Sequence, residues 1–241
     1  MIYNSISIIT ATFNSESTLP VLIESLRNQV DKDFEWIVAD GGSSDKTLDI
    51  LKAVSDINIK ITSQTDFGIY DALNRAIKIS NCEYYLVVGS DDYLYQDSVK
   101  HFRIAAQQTS ADIIAAGVDT LNGSLAIHEG KGWMYGAHAY IAAHSVGTLI
   151  RRSLHEQFGL YSKHLSITAD SLFIKQACQA GARRHRANFI SGFFSTEGTS
   201  NTNKLTTLVN GLHMQLITEK YKVLQIILFL IRFLKNNKYI S

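Results

Sequence analysis

Over the first ninety residues the apolar positions switch repeatedly between two spacings. Residues 6–11 form a short β-rich apolar run, and over 17–29 Leu19, Leu22, Ile23 and Leu26 recur at helical spacing. Pro20, the sole proline, falls in the first turn of that helix, where its missing N–H is tolerated. A strand is predicted over 34–40. A helix follows over about 45–54, with Leu48 and Leu51 inward, then a short strand over 59–63. The next helix, over 69–79, carries Ala72, Leu73, Ala76 and Ile77 on one face. The run Tyr84-Tyr85-Leu86-Val87-Val88 has the length and β-branched content of a buried strand, and Gly89 and Ser90 end it. Repeated strand–helix units of this kind predict an α/β fold, a mostly parallel sheet with helices on both faces.

Beyond residue 96 the pattern loosens. A helix is predicted over 97–108, strands over 113–118 and 148–150, and a helix over 170–180 stopped by Gly181. A strand over 183–194 and a helix over 204–222 complete the reading. Residues 119–147, rich in Gly, His and aromatics, carry no clear period. With no repeat, low-complexity tract or linker, the chain reads as one domain over 1–202 with a helical extension over 203–241. The extension contains an apolar run over 223–234, interrupted by Gln225, with Arg232, Lys235 and Lys238 near its end. That is shorter than the roughly 20 apolar residues a spanning helix needs. Two readings stand: a helix lying in a membrane interface, or one packed on its own domain or on a second subunit in a homo-oligomer.

Composition changes this picture little; charge changes it more. The chain has 241 residues, 46% of them hydrophobic, enough for one sizeable core. Cys82 and Cys178 have no metal-ligand spacing around them, and the N-terminus reads as a first strand rather than a basic leader. A reducing cytoplasm is the expected setting. Residues 1–150 hold 10 Lys and Arg against 18 Asp and Glu, a net of −8; residues 151–241 hold 13 against 4, a net of +9. The acidic half suits cation binding, and the basic half suits phosphates or an anionic membrane surface. Scattered solvated charge is the plainer alternative. No nucleic acid is expected as a partner.

Candidate chemistry lies at the predicted strand ends. The fourth strand runs into Asp91-Asp92, the second ends in Asp40, and Asp66 follows the third. Ligands of open α/β sheets sit beyond the carboxyl ends of the strands. Acids there serve a divalent cation or ligand hydroxyls, or else act as helix caps and Asx turns. The loop Ala11-Thr12-Phe13-Asn14 lacks both the Gly-x-Gly-x-x-Gly fingerprint and the Gly-x-x-x-x-Gly-Lys-Ser/Thr loop, which weighs against a dinucleotide cofactor and a phosphate-loop NTPase. Phe13 suits either stacking on a base or the core.

Four segments together carry a specific resemblance: Ser7-Ile8-Ile9-Thr10-Ala11-Thr12-Phe13-Asn14; Phe34-Glu35-Trp36-Ile37-Val38-Ala39-Asp40-Gly41-Gly42-Ser43-Ser44-Asp45; Asp66-Phe67-Gly68-Ile69-Tyr70-Asp71-Ala72-Leu73-Asn74; and Gly89-Ser90-Asp91-Asp92. In this order and spacing the chain resembles glycosyltransferase family 2, inverting enzymes with the Rossmann-like nucleotide-sugar-binding fold called GT-A. The resemblance is strong over about the first hundred residues. It thins later to Arg151-Arg152-Ser153 and Ile167-Thr168-Ala169-Asp170.

The resemblance implies that Ala11 and Phe13 line a base pocket and that Asp40 holds the base or ribose, with Asp66 and Asp91 on the same nucleotide-binding edge. Asp91 and Asp92 fill the family's Asp-x-Asp position. Ser90 replaces its first acid, leaving Asp92 as the foremost metal ligand, for Mg²⁺ or Mn²⁺ bridging a diphosphate. Asp170 is the implied catalytic base; its alternative is a plain N-cap. The expected donor is a nucleoside diphosphate sugar, with uridine the favoured nucleoside. The expected acceptor is a saccharide or lipid-linked saccharide of bacterial surface polysaccharide, met at the inner face of the cytoplasmic membrane. A non-catalytic nucleotide-sugar-binding or membrane scaffold protein is the competing reading. A sugar-nucleotide pyrophosphorylase would need a Gly-rich basic loop that Ala11–Asn14 lacks. The chain departs from the family at Leu73, where another branch has arginine, and at Ser171-Leu172, where a second acid is common. Ser145 takes the place of a histidine, with His144 one residue off. The cluster Arg183-Arg184-His185-Arg186 suits a diphosphate, lipid headgroups or a solvated strand edge.

Overall fold

The computed structural model describes residues 4–125, 127, 131–142, 145–165, 167–195 and 204–236. Its first half follows the predicted alternation: β1 (Ile6–Thr12), α1 (Leu19–Arg27), β2 (Phe34–Asp40), α2 (Thr47–Lys52), β3 (Ile59–Ser63), α3 (Ile69–Ile79) and β4 (Tyr84–Val87). A two-residue strand, β5 (Tyr93–Leu94), precedes α4 (Ser98–Thr109), β6 (Ile113–Thr120) and β7 (Gly123–Leu125). Then come α5 (Gly132–Tyr135), a 3-10 turn (Gly136–Ala139), β8 (Thr148–Arg151), α6 (Leu154–Phe158), α7 (Ala169–Gln179) and β9 (Arg184–Phe193). Two further helices, α8 (Lys204–Thr218) and α9 (Lys222–Asn236), close the described chain.

The strands form one sheet in the order β3-β2-β1-β4-β8-β6-β9-β5, with β7 paired to β6. β1, β2, β3 and β4 run parallel, β8 runs against both β4 and β6, and β9 runs parallel to β6. β5 and β7 also run antiparallel to their partners, so the sheet is mixed, with six of its nine strands in one direction, as a mostly parallel sheet requires. Its faces separate by strand period: Phe34, Trp36 and Val38 join one core cluster, Ile37 and Ala39 the other. Tyr84 and Leu86 likewise oppose Tyr85. Helices α1 and α4 cover the first face; α3 and α7 cover the second. Both faces buried is the condition under which strands read as continuous apolar runs.

The predicted helix over 204–222 ends at Thr218, and after a break at residues 219–221 a second helix takes up the apolar run expected over 223–234. At the break Glu219 turns to the fully buried Lys175 of α7, with an Nζ–Oε1 distance of 2.6 Å. A buried ammonium without a counter-charge is costly, so the pair fixes α8 against α7. The boundary expected between 202 and 203 lies outside the described residues, as does His144. The basic cluster is placed away from the acids. Arg184 opens β9 opposite Ile113, at the amino end of the parallel strands, and donates to the Ala139 and Tyr140 carbonyls. Arg183 faces Asp112. Arg151 sits on that same edge, stacked 4.5 Å from the Tyr84 ring centroid and paired with Glu83 and Asp112. These cations hold strand starts together, opposite the edge at which the acidic strand ends lie.

Candidate active site

The carboxyl ends of β1, β2, β3 and β4 lie side by side, and Asp40 is their centre. Its carboxylate is fully buried and accepts five hydrogen bonds: from Thr12 Oγ1 (3.1 Å), Gly42 N (3.0 Å), Ser43 N (3.0 Å), Ser43 Oγ and Ser63 Oγ (2.7 Å). Burial alone would raise its pKa; the donated hydrogen bonds from Ser43, Ser63 and Gly42 outweigh this and lower it. The carboxylate that ends β2 thus folds the Gly41-Gly42-Ser43 loop back over the strand as an Asx turn. Gly42 takes φ +87°, which a side chain would resist. Gly41 has a different reason: a Cβ there would lie 2.8 Å from Asp66 Oδ2, so Asp66 rests against the β2 loop.

The two loops that frame this edge are laced together. Asn14, at φ +49°, donates its N–H to Ser43 Oγ (2.9 Å) and accepts from Ser44 N on Oδ1 (2.9 Å). Ser15 N donates to Thr47 Oγ1 (2.7 Å), and Ser15 Oγ meets Ser90 Oγ at 3.1 Å. Ala11 is half-buried, while Phe13 is 64% exposed beside it. Of the two readings of Phe13, the core one is excluded. Arg75 enters from α3 and donates to the Asp40 carbonyl (2.7 Å), with its Nε and Nη1 buried and unpartnered. Leu73, where another branch of the family has arginine, is buried in the core under α3.

The acidic pair divides its labour. Asp92 is buried; Oδ2 accepts from Gly89 N (3.0 Å) and Ser145 Oγ (3.3 Å), and Oδ1 from Ser195 N (2.8 Å). Asp91 is half-exposed. Both carboxylates converge on Gly89: a Cβ there would meet Asp92 Oδ2 at 2.7 Å and Asp91 Oδ1 at 3.0 Å. Among the described residues no three His, Cys, Asp or Glu side chains gather as a metal cage. Two converging carboxylates fit the other kind of divalent site, in which phosphate oxygens and waters complete the shell.

Asp170 stands in the first turn of α7, buried, with Oδ1 accepting from Tyr70 Oη at 2.6 Å. Tyr70 also reaches the Ile167 carbonyl (2.7 Å). Because Tyr70 opens α3, which follows β3, this contact brings the start of α7 to the same end of the sheet as the acids. Asn74 secures it from below, exchanging hydrogen bonds with the Tyr161 backbone at 2.8 and 2.9 Å. Tyr85 Oη then links Tyr161 Oη and His155 Nε2, each at 2.7 Å. Sequence reasoning misses Tyr70, Ser43 and Ser63 here, and names Ser145 only as the occupant of a histidine's place. Ser43 has a local signal in Asp40-Gly41-Gly42-Ser43; the Tyr70 contact spans one hundred residues and has none.

Comparison with known proteins bears on the family and the fold. The sequence profile described as glycosyl transferase family 2 matches residues 7–184. A PGL/p-HBAD biosynthesis glycosyltransferase of Mycobacterium bovis (strain BCG / Pasteur 1173P2) is 39% identical over 93 residues, 37% of this chain and 36% of that protein. A poly(ribitol-phosphate) beta-glucosyltransferase of Bacillus spizizenii is 32% identical over 124 residues, 49% of this chain and 20% of the relative. The matches thus span about a third or less of those relatives' length. Among solved structures, S. aureus TarS 1-349 in complex with UDP-GlcNAc superposes with a TM-score of 0.72 at 19% identity, covering 93% of this chain and 70% of that one. The Pyrobaculum calidifontis mannosyltransferase PcManGT, in complex with GDP-Man and Mn²⁺, gives 0.67 at 14% identity, covering 89% and 65%. These likenesses establish the GT-A fold. With the family profile covering most of its length, the chain belongs to glycosyl transferase family 2.

Proposed function

We propose that the protein is an inverting, metal-dependent glycosyltransferase. It moves a sugar from a nucleoside diphosphate, uridine being the favoured nucleoside, to an acceptor hydroxyl. The acceptor is a lipid-linked saccharide of surface polysaccharide assembly. One observation carries this reading: Asp40, Asp66, Asp91, Asp92 and the α7 start bearing Asp170 all lie at one end of the parallel strands, where open α/β sheets hold their ligands. Relatives named a PGL/p-HBAD biosynthesis glycosyltransferase and a poly(ribitol-phosphate) beta-glucosyltransferase support a surface-glycan acceptor.

In this reading Phe13 stacks on the base beside Ala11, while Asp40 and Asp66 hold the nucleoside. Asp91 and Asp92 hold Mg²⁺ or Mn²⁺, which supplies Lewis-acid neutralisation of diphosphate charge when bound. Asp92 is preset by its three donors, and Asp91 is the more open of the two. Asp170 accepts the acceptor's hydroxyl proton as that oxygen bonds to the anomeric carbon and the bond to the diphosphate breaks. Tyr70 holds the carboxylate in place. The domain ends near 202; beyond it α8 and α9 form an extension that carries the protein to the inner membrane face.

The test is calorimetric titration of UDP, GDP, ADP and TDP, each with Mn²⁺ and with EDTA, on wild type and Asp91→Ala. One nucleotide bound only with metal, and lost in Asp91→Ala, is the expected result. Binding of no nucleotide under either condition removes the transferase reading. Asp170→Asn then separates catalyst from scaffold: donor affinity stays within about twofold while kcat falls about 10²- to 10⁴-fold.

A further inference from the structure

Behind the first turn of α7 lies a half-open cavity of about 310 Å³, bounded by the 3-10 turn, α7, α8 and α9. That volume lies at the lower end of the range of about 300–1,000 Å³ for small-molecule sites. Thr168 and Ser171, on either side of Asp170 in sequence, form one wall. Leu208, Leu212 and Phe229 make much of the rest apolar.

Two independent features mark it as built for a ligand. The first is polar. Gln225 is only 2% exposed, and its Nε2 donates to the Trp133 carbonyl at 3.1 Å. Its Oε1 is buried against the cavity with no donor, and Thr168 Oγ1 is buried there without a partner as well. A buried acceptor left unpaired is destabilising, so each atom is matched by something that enters. Gln225 needs an O–H or N–H donor; Thr168 suits either role. The second feature is steric. Gly211 sits inside α8, where glycine is disfavoured. No close approach requires it, since a Cβ there would meet nothing within 4 Å. The missing side chain leaves open space in the cavity wall.

Helix α9 is also turned inside out. Gln225, Phe229 and Arg232 face the cavity, whereas Val223, Ile226, Ile227, Leu230, Ile231 and Leu234 are exposed. Of its polar groups Gln225 and Arg232 therefore face the cavity, while Lys222 and Lys235 lie exposed at the helix ends.

We propose that the cavity binds an amphiphile, with a hydroxyl-bearing head at Gln225 and Thr168 and an apolar chain along Leu208, Leu212 and Phe229. Its occupant is the apolar anchor of the acceptor, seated next to the turn that carries Asp170. This rests on the lipid-linked acceptor of the proposed function. Phospholipid shares the chemistry, and the test separates the two sources.

Octyl glucoside, below its micelle concentration, is titrated against the full chain by tryptophan fluorescence. Trp133 lies at the cavity's edge through its bonds to Gln215 and Gln225, while Trp36 is fully buried in the sheet core. Saturable binding is expected in wild type. Gly211→Leu fills the space and weakens binding at least about tenfold, without lowering Tm, because leucine is the better helix former. Gln225→Leu weakens binding about threefold to tenfold, the worth of one hydrogen bond, and serves as the deciding variant if Gly211→Leu does not fold. No saturable binding in wild type, or equal binding in both variants, overturns the site. Displacement of the probe by phosphatidylglycerol vesicles in wild type assigns the cavity to bilayer lipid and overturns the acceptor assignment. A parallel UDP titration keeps the outcomes apart. Intact UDP binding without octyl glucoside binding sinks the cavity alone, whereas the reverse sinks the donor reading alone.

Discussion

Asp40 ties the loop after β2 to its strand with the same carboxylate that holds the nucleoside in the proposed function. Five protein donors hold it, so Asp40→Asn exchanges an acceptor-only group for one that places an NH₂ among N–H and O–H donors. We expect a loss of about 2–3 kcal/mol in urea unfolding together with weakened nucleotide binding. Unchanged stability would mean the loop does not depend on the charge. Glu35 is a purely structural counterpart. Burial pushes its carboxyl up, but the Lys60 ammonium (2.6 Å), Ser7 Oγ (2.6 Å) and Asn81 N–H (2.9 Å) outweigh that and bring its pKa to about 2. A carboxylate depressed on folding contributes its full stability above its unfolded pKa, about 4.5, and loses it as pH falls towards about 2. Wild type should lose on the order of 2–3 kcal/mol across that window, and Glu35→Gln should flatten that part of the stability–pH curve. At this scale the acids were legible because strand ends are legible. Tyr70 was not, because nothing local to Ile69-Tyr70-Asp71 tells that its hydroxyl meets a carboxylate one hundred residues on.

Elements with a full period were readable, and elements defined by their partners were not. β2, β3 and α3 have the bounds their apolar spacing predicts, since each offers enough residues to show a face. β5 has two residues and β7 an exposed Gly-Ser-Leu, so neither displays a period; pairing alone makes them strands. α5 and the 3-10 turn arise in a stretch whose glycines and exposed Trp133 and Tyr135 mark no repeat. β5 shows what such an element depends on. It pairs with β9 through Gly192, where a Cβ would fall inside the contact distance of the Tyr93 carbonyl and lie 3.0 Å from Leu94 Cα. Those are backbone atoms and cannot swing aside. Gly192→Ala should therefore unpair β5 from β9 and cost about 2 kcal/mol or more. In a chain of this size that is a Tm drop of about 4–8 °C. Because β5 directly follows Asp91-Asp92, metal-dependent nucleotide binding should weaken with it. A stable variant with unaltered binding would show that Asp92 does not depend on β5 for its position.

At the scale of the whole molecule, charge and apolar surface are sorted along the chain. The acidic first 150 residues carry the strand-end carboxylates, and the basic remainder ends in α9. That helix shows solvent a stripe of six apolar side chains at helical spacing, Val223, Ile226, Ile227, Leu230, Ile231 and Leu234, with Lys222 and Lys235 at its ends. None of the described helices is long and apolar enough to cross a membrane. An apolar stripe with cationic ends is the pattern of a helix lying in an anionic interface, where apolar burial and about 1 kcal/mol per Lys or Arg act together. Sedimentation with phosphatidylglycerol vesicles should therefore bring down wild type, less so as salt rises, and phosphatidylcholine vesicles should retain much less. The paired substitution Ile227→Glu and Leu230→Glu should lower partitioning on the order of tenfold or more. It should leave Tm unchanged, because both side chains are exposed already. If the stripe instead seats a second copy of the chain, the pair leaves vesicle binding as it was and halves the mass measured in solution. The salt dependence discriminates further, since an apolar dimer contact tightens in high salt while attraction to an anionic surface weakens.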